Sequence, residues 1–173
     1  MNVTKILIDE HENILKIAEA LENEAERMEK SKEINKEFIL NVVSFIRNYA
    51  DKLHHAKEED ILFKEFNRKV EEGCVHCNPV EQMLFEHEEG RKFVKMIETG
   101  LKNDNKKEVI EGARGYASLI KEHIFKEDNI LYPMTEDVFD SKKKEEITKK
   151  FEDTDSKKLS EIKKYLQFIR RLK

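Results

Sequence analysis

His54-His55-Ala56-Lys57-Glu58-Glu59-Asp60-Ile61-Leu62-Phe63 aligns without gaps on His123-Ile124-Phe125-Lys126-Glu127-Asp128-Asn129-Ile130-Leu131-Tyr132. Both strings open His-x-x-x-Glu. Positions i and i+4 stack on one helix face, so each string sets an imidazole beside a carboxylate. Upstream lies a second echo, Glu10-His11-Glu12 against Glu86-His87-Glu88. The chain therefore reads as two helix pairs. Each pair offers one histidine from its first helix and His-x-x-x-Glu from its second, and the two halves predict a pseudo-symmetric site.

Apolar periodicity places these residues on inner faces. Helix one carries Leu7, His11, Ile14, Ala18, Leu21, Ala25 and Met28. After a polar connection from Lys30 to Asn35, helix two carries Ile39, Val43, Ile46, Ala50, His54, Glu58 and Ile61. Asn78-Pro79, with Glu81 following, predicts a helix start. Its stripe is Val80, Met83, His87, Gly90, Val94, Ile97 and Leu101. Asn105 with Glu108 forms a capping-box start for helix four. That helix turns Val109, Ala113, Tyr116, Ile120, His123, Glu127 and Ile130 inward and stops near Pro133.

The predicted fold is all-α, an antiparallel up-down-up-down four-helix bundle over residues 1–139. Residues 140–173 read as a C-terminal extension of short polar helices packed on the bundle, with apolar positions at Ile147, Phe151, Leu159, Ile162, Leu166 and Ile169. This Lys-rich tail is assigned no chemistry.

Short connections make consecutive helices antiparallel, so residues equally far from a connection share one height. His11 precedes the first connection by about 19 residues and His54 follows it by about 20, which agrees within a turn. His87 and His123 match in the same way, at about 15 and about 17 residues. All four imidazoles are thus expected near one end of the bundle.

Composition agrees. Five glycines, two prolines and no tryptophan starve hairpins of turn residues. Lys and Arg (33) nearly balance Asp and Glu (37), and a net charge of −4 argues against a nucleic-acid binder or a polybasic membrane anchor. No apolar run approaches the roughly 18 residues of a membrane span. The start Met1-Asn2-Val3-Thr4-Lys5 lacks a signal-peptide layout, and the expected location is cytoplasmic. Only two cysteines, Cys74 and Cys77, are present, which suits a reducing compartment.

Placing Glu58 and Glu127 inside, among neutral imidazoles, supplies no counter-charge, and a buried unpaired carboxylate costs several kcal/mol. A cation would supply it. Imidazole plus carboxylate without thiolate suits iron, manganese or zinc, and two carboxylates able to bridge favour two ions over one. Six protein ligands with two bridges leave each ion an open position for small-molecule chemistry.

His11, His54-x-x-x-Glu58, His87 and His123-x-x-x-Glu127, with the strings Glu86-His87-Glu88-Glu89-Gly90-Arg91 and His123 through Pro133, resemble the hemerythrin-like (HHE cation-binding) family over about Asp9 to Asp153. The resemblance implies an oxo- or hydroxo-bridged pair of irons, with His11 and His54 on one, His87 and His123 on the other, and Glu58 and Glu127 bridging. The oxygen-carrying hemerythrins use five histidines, a glutamate and an aspartate, with His-x-x-x-His on the third helix. Here the residues four before and after His87 are Met83 and Arg91, and the second bridge is Glu127. One iron is therefore expected to be less saturated. Members of the wider group are associated with oxygen, nitric oxide or peroxide responses and with iron handling.

The functional expectation is a non-haem di-iron protein binding oxygen, nitric oxide or peroxide for sensing, protection or delivery. The alternatives are a di-iron oxidoreductase turning over peroxide or nitric oxide, an iron reserve or repair protein, and a zinc-stabilised or metal-free bundle. A homo-oligomer is compatible with the sequence. The Glu-x-x-His pairs of ferritin-like sites are absent; only Asp51-x-x-His54 occurs.

His55, about 100° round the helix from His54, is expected behind the ligands or at the surface, with a contribution to the iron as the alternative. Tyr116, two turns before His123, is expected to pack in the core, with lining a gas pocket or donating to a bound oxygen species as the alternative. Asp51, Glu59 and Asp128 neighbour the site and read by default as exposed charge, with orientation of ring nitrogens as the alternative. Cys74-Val75-His76-Cys77 lies in the loop between the halves and reads as an ordinary reduced pair, with a redox switch or half of a zinc site as alternatives.

Overall fold

In the computed structural model, residues 2–31 and 33–172 are described. Met1 and Lys173, at the outer ends of the two expected units, and Lys32, in the expected first connection, lie outside the described residues. All regular structure among the described residues is helical.

Helix α1 (Lys5–Lys30) buries Leu7, Ile14, Ala18, Leu21, Ala25 and Met28 completely or nearly so. The Asn35 side chain accepts a hydrogen bond from the Phe38 amide and starts α2 (Lys36–Phe45). This helix continues through two π-helical segments, Ile46–His55 and Glu58–Leu62, into α3 (Phe63–Glu71). Asn78 accepts from the Val80 amide at the start of α4 (Val80–Lys102). Asn105 accepts from the Glu108 amide and starts α5 (Lys106–Lys126). A third π segment, Glu127–Leu131, carries α5 into α6 (Tyr132–Val138). Capped by Asp140, α7 (Ser141–Lys157) precedes α8 (Leu159–Ile169).

The π segments correct part of the expected inner stripes. An i→i+5 turn takes up one residue more than an α turn. The inner position therefore passes from Ile61 to Leu62 and from Ile130 to Leu131. Ile130 is 48% exposed, whereas Leu62 and Leu131 are at 0%.

Neighbouring helices pair residues in opposite order. Glu22 meets Lys121 and Glu29 meets Arg114 between α1 and α5. Arg47 meets Glu98 and Asp51 meets Arg91 between Ile46–His55 and α4. The α4 and α5 backbones lie close together: a Cβ on Gly112 would stand 3.0 Å from both the Ile97 amide nitrogen and the Phe93 carbonyl oxygen.

Two apolar clusters divide the interior. The larger holds Ile14, Leu21, Ala50, Leu53, Val94 and Ile120, with others from the same helices. The smaller holds Leu7, Leu62, Phe63, Met83, Leu131 and Tyr132. His11 comes between Leu7 and Ile14 in the chain, and His87 between Met83 and Val94. His54 and His123 likewise fall between a residue of one cluster and a residue of the other. The polar layer therefore sits between two dry ones. Ile147 and Phe151 of α7 join the smaller cluster; Tyr165 and Ile169 of α8 join the larger. Leu159, expected among the apolar positions, is 51% exposed. No helix among the described residues is long and apolar enough to cross a membrane.

Candidate metal centre

The structure brings His11, His54, Glu58, His87, His123 and Glu127 together, all buried. Each of the four imidazoles is held from behind. Nδ1 of His11 lies 2.8 Å from Asp128, that of His54 2.9 Å from Glu10, that of His87 2.7 Å from Glu59, and that of His123 2.9 Å from Glu86. An ionised carboxylate only accepts, so Nδ1–H donates to it and Nε2 is the nitrogen turned inward, with a free lone pair whenever the ring is neutral.

These lone pairs point at one another. Nε2 of His11 and of His54 are 3.0 Å apart, and Nε2 of His87 and of His123 are 3.1 Å apart. The ring centroids of the two pairs lie 4.6 and 4.7 Å apart, with interplanar angles of 61° and 64°. Two nitrogens bound at right angles to one ion, at a metal–imidazole bond of about 2.1 Å, would be about 3 Å apart. Two neutral rings would set lone pair against lone pair at this distance, so each pair calls for a shared cation, a metal ion or a proton.

The carboxylates complete the arrangement. Oε2 of Glu58 lies 3.5 Å from Nε2 of both His54 and His87. Oε2 of Glu127 lies 3.3 Å from Nε2 of His11 and 3.2 Å from that of His123. Each acid thus stands between one imidazole of the first pair and one of the second. Glu58 Oε2 and both oxygens of Glu127 are buried without a hydrogen-bond partner. These orphaned oxygens and facing nitrogens fit a cation at each imidazole pair. Among the described residues, two buried groupings could hold an ion: His11, His54, Glu58 and Glu127, and His55, Glu58, His87 and His123.

Protonation in the metal-free protein follows from burial and neighbours. Burial and the adjacent Glu127 hold the Glu58 carboxyl well above its usual range. Burial pushes Glu127 up as well, but His123 and His11 outweigh it and hold this acid well below. For His123 burial acts downward, yet Glu127 and Glu86 raise it to about 9. Burial and His11 hold His54 well below its usual value, leaving it neutral. One acid and one imidazole of the layer thus carry protons that a metal would displace.

Four side chains differ from the leading expectation. His55, expected behind the ligands or at the surface, is buried and stacks on His87 with centroids 3.8 Å apart. The π segment ending at His55 is the reason: its wider turn advances each residue by less than 100°, and two consecutive histidines face inward. Asp128 and Glu59, read by default as exposed charge, are only partly exposed and hold ring nitrogens, the alternative for them. Tyr132 had been given no role, but its hydroxyl donates to Glu58 Oε1 at 2.6 Å and lies 3.3 Å from His11 Nε2.

Tyr116 is buried, and its hydroxyl has no partner. It lines a small cavity of about 20 Å3 beside the second imidazole pair, together with Ile46, His55, Gly90, Arg91 and Val94. Glu10 and Glu86 also went unassigned, although the repeated Glu-His-Glu string was their signal. Cys74 and Cys77 are free and exposed in the loop between α3 and α4.

The C-terminal helices reach the same layer. Lys57, fully buried, bonds Glu10 on one side and Asp155 of α7 on the other, the latter at 2.7 Å. Its counterpart in the repeat, Lys126, bonds Glu86 alone, with 31% of its side chain exposed.

Comparison with known families matches the hemerythrin HHE cation binding domain to residues 2–135 of the chain. No curated protein and no solved structure gives a match.

Proposed function

Since this chain belongs to the hemerythrin HHE cation binding domain family, we propose that it is a cytoplasmic non-haem di-iron protein that binds oxygen, nitric oxide or peroxide for sensing, protection or delivery. In this reading residues 1–139 form an up-down-up-down four-helix bundle, and residues 140–173 an extension packed on it. His11 and His54 hold one iron, His87 and His123 the other, and Glu58 and Glu127 span the two.

The observation that carries the proposal is the pair of Nε2–Nε2 separations, 3.0 and 3.1 Å, between imidazoles whose other nitrogens already donate to carboxylates. Imidazole and carboxylate donors without thiolate suit iron, with zinc or manganese as the competing ions. When bound, the iron pair supplies the redox chemistry and the open positions. The protein's own residues fix the ring tautomers and exclude water with apolar clusters above and below. The small cavity beside Tyr116 leaves room for a molecule of about water size next to the second pair.

Elemental analysis of purified protein tests the metal, and the anaerobically reduced, iron-loaded protein tests the ligand. Two irons per chain and a visible spectral change on adding oxygen or nitric oxide are expected. Protein without bound transition metal would refute the reading. A loaded protein that is spectrally silent to oxygen, nitric oxide and peroxide would refute its small-molecule part.

A second reading, turnover of peroxide or nitric oxide, is favoured by Tyr132, a buried hydroxyl that donates to Glu58 and lies beside His11 Nε2, where it can hydrogen-bond a reacting molecule. Consumption over many turnovers, slowed in Tyr132→Phe, would select it over simple binding.

A further inference from the structure

His55 is the one buried histidine not assigned above, and its surroundings repeat the pattern of the other four. Neither ring nitrogen has a hydrogen-bond partner. Leaving a buried polar atom unpaired costs about 1–3 kcal/mol, so two on one ring need an explanation. Nδ1 faces Asp51 Oδ1 at 3.8 Å, just beyond bonding reach. Arg91 pins that carboxylate in place with contacts of 2.9 and 2.7 Å. A carboxylate behind Nδ1 is what holds His11, His54, His87 and His123. Because the two nitrogens lie on opposite edges of the ring, an Nδ1 turned to Asp51 leaves Nε2 facing away from it.

The second imidazole pair packs against this ring, with His87 stacked on its face. The His55 ring lies 3.8 Å from that of His87 and 5.9 Å from that of His123. One donor atom each from His55, Glu58, His87 and His123 can be chosen so that all lie within 4.8 Å of one another. The position aligned with His55 in the other half is Ile124, which is buried and apolar. The repeat thus breaks its symmetry at this buried position.

We infer that His55 is a metal ligand, the third imidazole on the transition-metal ion held by His87, His123 and Glu58, with Asp51 fixing its ring from behind. The inference rests on the metal-centre reading proposed above. It makes the two ions unequal: three imidazoles hold one and two hold the other. It also replaces, from the second helix, an imidazole that the third helix lacks where Met83 and Arg91 stand four residues either side of His87. A small adjustment of the ring, closing the gap to Asp51, satisfies both orphaned nitrogens at once.

The test compares wild-type protein with His55→Leu and His55→Gln, each loaded with ferrous iron under anaerobic conditions. Iron per chain, stepwise affinity and the imidazole count from X-ray absorption are measured, and helicity checks the fold of each metal-free variant. Wild type is expected to show five imidazoles over two irons. His55→Leu is expected to show four, with affinity for one of the two ions weakened at least about tenfold. His55→Gln covers the case in which the leucine variant does not fold, and it should lose the same imidazole. Wild type with two irons but only four imidazoles, and variants that bind both ions unchanged, would overturn the role of His55 and leave the di-iron reading standing. Wild type that binds no iron would overturn both.

Discussion

Replacing Lys57 by methionine should damage the protein far more than replacing Lys126, although the two lysines occupy equivalent places in the repeat. Lys57 is fully buried, and its ammonium bonds Glu10 and Asp155. Methionine keeps the volume and removes the charge, leaving Glu10 in the interior with only the His54 Nδ1–H beside it. Removing one partner of a buried ion pair costs about 3–5 kcal/mol. Unfolding entropy is about 2.1 cal/mol/K per residue, or about 0.36 kcal/mol/K for this chain, so the metal-free protein should melt about 8–14 °C lower. Loss of the group that sets Glu10 should also weaken the ion at His11 and His54 about 10–100-fold, since Glu10 orients His54.

Lys126 has 31% of its side chain in solvent and touches no acid besides Glu86. Its loss should cost at most about 1 kcal/mol. The assays are calorimetric melting of both metal-free variants and stepwise metal titration of both. Equal losses from the two substitutions would refute the reasoning, because they would show that the contact with α7 contributes nothing.

Metal loading at pH 7 should release protons, because His123, raised to about 9, and Glu58, held well above its usual range, are protonated in the metal-free protein. Affinity should therefore fall as pH falls, by about tenfold per unit for each proton displaced, and calorimetric titration in buffers of different ionisation enthalpy reads that number. Tyr116→Phe removes a buried hydroxyl that has no partner and should raise the urea stability of the metal-free protein by about 1 kcal/mol; a loss of stability would contradict this. Gly112→Ala puts a methyl 3.0 Å from the α4 backbone and should cost about 1–3 kcal/mol. Because it pushes α4 and α5 apart, it should loosen the ion at His87 and His123 while sparing that at His11 and His54, as stepwise titration would report.

Much of this centre was legible in the amino-acid string. His54 with Glu58, and His123 with Glu127, follow from a four-residue spacing that any α-like helix turns to one face. The Asn35 and Asn105 starts follow from side chains that accept from amides a helix leaves unpaired. Equal distances from the connections bring the four histidines to one level.

What the sequence left open is what depends on contacts between helices. Spacing tells the angle of a side chain about its own axis, but not which neighbour it meets. The pairing of Glu10 with His54, and of Glu86 with His123, depends on how adjacent helices are rotated and crossed. The π turns that bring His55 inward and exchange Ile130 for Leu131 are not preferred by the residues in them. They hold because packing around the buried layer outweighs local propensity. The repeat makes Lys57 and Lys126 equals, and only the docking of α7, which sets Asp155 against one of them, makes one an interior ion pair and leaves the other at the surface.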